Sequence, residues 1–162
     1  MKVTMSLSAA SIDAAIKQIE AYQKSLSVKA KQICERLAFA GAVQVSLGFA
    51  SAIYNGEKDF NVTVEDIPNG YRIVADGETA LILEFGAGAT YGYGHPQADE
   101  FGMGPGTYPD GKGHWNDPRG WWIPKANGGG HTYGNPPAMP MYRASRQMRE
   151  DVERVAREVF RS

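Results

Sequence analysis

The chain has 162 residues, 43% of them hydrophobic and 22% charged, with a net charge of −1. These are the proportions of an ordinary soluble globular protein, long enough to bury roughly two-thirds of its unfolded surface in one domain. No apolar run approaches the roughly 18 residues of a membrane span, and the start lacks the basic and apolar blocks of a secretory signal, so cytoplasmic synthesis and retention is expected. Cys34 is the single cysteine, which excludes an internal disulfide. It falls in a helical pattern and is expected to be a small buried hydrophobe.

Ser8 and Ser11 are good N-caps for a first helix, with Asp13 placed in its first turn. Ile12, Ile16, Ile19 and Leu26 follow at helical spacing, and Ile33, Leu37, Ala40, Val45 and Phe49 resume the pattern. The expectation is one long helix over 9–52. About forty residues at 1.5 Å each span about 60 Å, more than a domain of this size is wide. A break near Ser25–Ser27 or a projecting arm should follow. Gly41 and Gly48 lie seven apart on one face and allow close approach of another helix.

Asn55-Gly56 ends the helix. Phe60, Val62 and Val64 then alternate with polar residues, Ile67-Pro68-Asn69-Gly70 forms a tight turn, and Tyr71, Ile73 and Ala75 answer on the return strand. Asp76-Gly77 turns again into Thr79–Phe85, whose alternating Leu81, Leu83 and Phe85 predict a third, buried strand. The segment 59–86 is thus expected to be a three-stranded antiparallel meander covered by a helix.

Residues 86–137 hold 14 of the 19 glycines, most of the prolines, all three tryptophans and all three histidines. Flexible linkers lack large aromatics, so the stretch 87–136 is expected to be an ordered insertion. Gly-Trp-Trp-Ile (120–123) and His-Thr-Tyr-Gly (131–134) would be short strands extending the sheet, and Tyr91, Tyr93, Tyr108 and Trp115 would pin the rest. Met141, Ser145, Met148, Val152, Val155 and Val159 recur at helical spacing and predict an amphipathic helix over 140–160, its arginines outward. The fold class expected is α+β.

Little of this points to catalysis. His95, His114 and His131 are separated by 18 and 16 residues, unlike the close pair of a typical zinc site, so a metal site would have to assemble in space. A Cys34–His dyad would need an exposed, activated thiol. Gly-Met-Gly-Pro-Gly (102–106) lacks the Lys-Ser/Thr of a phosphate loop. Glu84 has no second carboxylate at a matched distance. The expectation is a chain that is not an enzyme and needs no cofactor or metal. Tyr108, Trp115, Trp121, Trp122 and Tyr133 could instead offer flat rings to a sugar, a peptide or another protein, or bury one another and hold the loop in shape. Charge is also segregated: residues 41–141 carry five Lys/Arg against eleven Asp/Glu, whereas both helical ends are mildly basic. That is not the footprint of a nucleic-acid binder; a solvated acidic surface is the simple reading.

The order of elements resembles the tail-component proteins of long-tailed bacteriophages and prophages, which belong to the neck and are often called tail-completion or head–tail joining proteins. In that family a strand reading Tyr-Val-Glu-Phe-Gly-Thr-Gly precedes a loop, and a Pro-Phe-x-x-Pro-Ala motif opens the last helix. Here Glu84, Phe85, Gly86 and Gly88 match, with Ala87 in place of Thr. Pro137 and Pro140 match the proline frame, with Ala138 where Phe is common. The resemblance implies a virion protein assembled in the host cytoplasm, without catalysis, that forms a ring with copies of itself, a hexamer among the closed forms. It implies contacts with neighbouring neck and tail proteins, no membrane, and DNA passing through without specific binding. Glu84, Phe85 and the aromatic insertion would then serve as interfaces. Asp59, Glu65, Asp66 and Asp76 would contribute to a negative lumen that repels phosphates. A tail terminator or head-closure protein is the near alternative; a carbohydrate- or wall-binding module and a three-histidine hydrolase are the distant ones.

Overall fold

The computed structural model describes residues 2–88, 90–91, 94–103, 117–123, 125 and 129–161. Helix α1, Ala9–Ser51, runs 43 residues without a break. Ser8 is its N-cap, the hydroxyl accepting from the Ser11 amide at 3.3 Å, an interaction that typically contributes about 1 kcal/mol. The alternative expected for so long a helix, a projecting arm, is what forms. Leu26 and Lys29 are the start of its half-buried face, and Lys29 Nζ donates to the Val159 carbonyl at 3.0 Å, closing the far end of the last helix. From Ala9 to Lys24 the large apolar side chains Ile12, Ile16, Ile19 and Tyr22 are exposed, and Ala15 is the buried exception.

Beyond Leu37, α1 enters the body. Ala38, Gly41, Val45 and Phe49, three or four apart, form its buried stripe. Val45, Phe49, Ala52, Ala80, Leu83 and Ala144 make the central core, with Phe60, Val62, Ile73 and Met141 packed around them. Phe49 stacks on Phe60 at 5.2 Å. The same helix contains an 18-residue window of mean hydropathy 1.3, so by length and composition it could cross a membrane. The expectation that no stretch reaches that limit is therefore corrected. The signal arises because α1 carries apolar residues on both its inner and outer faces between Leu37 and Ser51, with no charge among them.

Strands β1, Asn61–Ile67, and β2, Gly70–Asp76, form an antiparallel hairpin with Val64 opposite Ile73 and Ile67 opposite Gly70, turned by Pro68-Asn69 and packed on α1. The predicted third strand is absent. Ala80–Phe85 is a short helix, α2, in which Ala80, Ile82, Leu83, Glu84 and Phe85 are all buried. The physical reason lies at its ends. Asp59 accepts from the Glu78 amide with its carboxylate and from the Thr79 hydroxyl with its carbonyl, which fixes the entry. Gly86 and Ala138 amides satisfy the Ile82 and Leu83 carbonyls, and Asn135 Nδ2 adds a second donor to Ile82.

Strands β3, Trp121–Ile123, and β4, Gly130–Thr132, occur where strands were expected, but they pair with each other and not with the first sheet. Ala87 bridges Asn135 and joins this second hairpin to the body. Gly134 sits at φ +102, and a Cβ there would run into the Ala87 backbone. Helix α3, Pro140–Arg161, closes the chain against α1, with Ala144, Val155 and Val159 buried. The predicted seam is narrower than drawn: Val152 stays exposed. The architecture is α+β, with helices α1 and α3 clasping α2 and the first hairpin.

Candidate functional site

Two clusters stand out, one buried and one exposed. The buried one begins with a deficit at the start of α3. Pro140 occupies the first helical position, where its missing N–H costs nothing, but the preceding residue is Met139, which has no side-chain acceptor and takes a φ of +55°. The Met141 and Tyr142 amides thus lack a local cap. Glu84 supplies it from α2: Oε2 accepts from Met141 N–H at 2.8 Å and Oε1 from Tyr142 N–H at 3.0 Å. His95 Nε2 lies 3.1 Å from the same Oε1. Its Nδ1 accepts from the Gln97 amide at 3.1 Å, so the ring proton sits on Nε2 and points at the carboxylate.

The carboxylate and the imidazole are both buried. The His95 ring packs 4.4 Å from Phe85 and edge-on to Tyr142, and Phe85 closes the pocket with Ala98 and Met103. Glu84 and Phe85, expected at a partner surface, are therefore interior residues of the chain itself. Both nitrogens of His95 and both oxygens of Glu84 are engaged, so the pair latches α2, the 95–103 segment and α3 together. Sequence reading missed this latch, although its signal was present: a proline-opened helix with methionine at the cap needs a remote acceptor.

The exposed cluster is the β3–β4 hairpin. Alternation along the strands sends Trp121, Ile123 and Thr132 toward the body, where they line a cleft of about 400 Å³ with Tyr54 and Tyr91. The opposite face carries Trp122, 74% exposed, and Tyr133, 58% exposed. Trp122 pairs across the ladder with His131, their rings 5.2 Å apart, and Tyr133 follows at 4.8 Å from His131. These three rings form a continuous outward ladder. Tyr93, Tyr108, His114 and Trp115 lie outside the described residues.

The acidic set is not gathered. Asp59 and Asp76 flank the base of the first hairpin, and Glu65 and Asp66 lie near its tip. Glu65 accepts from Arg72 Nε at 3.0 Å. Asp66 accepts from Lys31 Nζ at 2.9 Å, and this hydrogen bond and charge attraction hold the Lys31 ammonium above its ordinary value. Asp59 is engaged at the entry to α2. Cys34 is exposed on α1, not buried as expected, because it lies on the wall of open clefts beside the hairpin turn Ile67–Gly70, which does not close over it. Among the described residues no three His, Cys, Asp or Glu side chains gather to hold a metal ion. No family model, no curated protein and no solved structure matches the chain.

Proposed function

We propose that this chain is a structural component of the neck or tail of a long-tailed bacteriophage, a non-enzymatic protein that joins or completes the tail as one copy in an oligomeric ring. The observation that carries the reading is the ring ladder Trp122–His131–Tyr133, presented outward on a two-stranded flap. Exposed aromatics on a fixed scaffold are the usual anchors of protein interfaces, because they bury much area at little entropic cost. The two stretches that carry the resemblance, Glu84–Gly88 and Pro137–Ala144, also meet at the Glu84 latch, which gives both a joint purpose in folding the body behind the flap. The flap then meets a neighbouring neck or tail protein.

Particles assembled with a Trp122→Ala/Tyr133→Ala chain should accumulate as separate heads and tails, while circular dichroism of the purified variant stays that of the parent. Normal yields of joined particles would overturn the reading. The cleft under the hairpin, lined by Trp121, Tyr54 and Tyr91, favours a second reading as a glycan-binding module. Saturable binding of the purified chain to an oligosaccharide would promote it.

A further inference from the structure

Helix α1 carries two large apolar stripes that are without a partner among the described residues. The first is the arm stripe, Ile12, Ile16, Ile19 and Tyr22, beyond the end of α3. The second lies within the body, on the side of α1 facing away from Ala38, Val45 and Phe49. There Phe39, Val43 and Leu47 recur every fourth residue and are 55%, 60% and 65% exposed. A helix that is apolar all round is ordinarily buried all round. One face of this segment is in the core already; the other has the composition of a core face and no cover among the described residues.

We infer that the outward stripe at Phe39, Val43 and Leu47 is the seat for the projecting arm of a second copy of this chain. The inference rests on the ring reading above and names its copy-to-copy contact. The two stripes match in length: Ile12 to Tyr22 covers about 15 Å of helix and Phe39 to Leu47 about 12 Å. They cannot satisfy each other within one molecule, because both lie on a single unbroken helix, about 40 Å apart along its axis. A second copy brings its own arm to the first copy's body stripe and leaves its own body stripe open for a third. That is a heterologous contact, the kind that closes rings.

The area is also adequate. Seven large apolar side chains, each roughly half exposed, would bury roughly 700 Å² of apolar surface, and with their flanks this reaches the roughly 1,200–2,000 Å² of a stable interface. Lipid is the poorer occupant. A helix lying on a membrane keeps a Lys/Arg-rich face toward water, whereas the face opposite this stripe is packed inside the protein.

The test uses the full chain, sized by light scattering across a micromolar concentration series. Ile16→Asp spoils the arm and Val43→Asp spoils the seat; both positions are exposed, so thermal melts should match the parent. The parent should associate, each variant alone should be monomeric, with a dissociation constant raised at least about 100-fold. An equimolar mixture of the two variants should form a dimer and stop there, since one sound arm meets one sound seat. Association of both variants at the parental level overturns this seat and leaves the ring reading standing. Dissociation by Val43→Asp alone means seat-to-seat pairing and overturns the role of the arm. A parent that is monomeric throughout removes the ring reading and the inference with it. Val43-dependent sedimentation of the parent with phosphatidylcholine/phosphatidylglycerol vesicles would hand the stripe to lipid.

Discussion

At Glu84, three N–H donors converge on two oxygens: Tyr142 and His95 on Oε1, Met141 on Oε2. An amide in that position cannot serve all three. Whichever oxygen becomes NH2 faces at least one N–H head-on, in a site closed to water. A buried donor left without an acceptor costs about 1–3 kcal/mol, and more where a charged partner is lost. Glu84→Gln should therefore lower unfolding stability by about 2–4 kcal/mol in urea titrations, although the substitution is nearly isosteric. Exposed Glu78→Gln serves as the control and should change stability by under about 0.5 kcal/mol. A Glu84→Gln loss as small as the control's would mean that α3 starts without help from α2. His95 shares in the same cluster through one donor and one acceptor, so its contribution is positional: it holds the 95–103 segment against Phe85.

The two helices α1 and α3 meet closely where a side chain is missing. A Cβ added at Gly48 would lie 2.7 Å from Pro140 Cβ and 3.2 Å from its Cα, both fixed by a ring at the first position of α3. Alanine raises helix propensity by about 1 kcal/mol over glycine, but overpacking against an immobile neighbour costs about 1–3 kcal/mol. The clash wins, so Gly48→Ala should lower the melting temperature; a rise would show that α3 can slide away. This close approach was visible in the sequence as small residues on one helix face, as were α1, the first hairpin and α3, each specified by its own periodicity and turn residues. Ala80–Phe85 was not. Six nearly all-apolar residues fit a strand or a helix turn equally well, and the choice is made by Asp59, Asn135 and Ala138, which the chain brings from elsewhere. Likewise the flap's strands were legible, but not their partner, because three-residue ladders carry no register signal beyond their turn. The outer stripe of α1 was written openly as twenty uncharged residues after Arg36, yet its meaning depends on which face the core takes.

Across the whole molecule, stability is distributed unevenly along one helix. Between Leu37 and Ser51, α1 is held by the core, by the first hairpin and by α3. Between Ala9 and Lys24 it has its own hydrogen bonds, the Ser8 cap and one buried alanine. A free helix of about 12–15 residues is marginal in water, and hydrogen bonds without tertiary cover open at local free energies near zero, while core amides open only with global unfolding. Native-state hydrogen exchange on dilute protein should therefore find amides of residues 12–24 exchanging orders of magnitude faster than those of Val45 and Phe49. The gradient must lie within α1 itself, with the change falling near Leu26–Lys29, where the side chains begin to touch α3. Raising the protein concentration should slow exchange in the arm and leave the core unchanged, because a helix docked on a neighbour gains the tertiary cover it lacks alone. Uniform protection along α1 in the dilute sample would mean that the arm is already packed by its own chain.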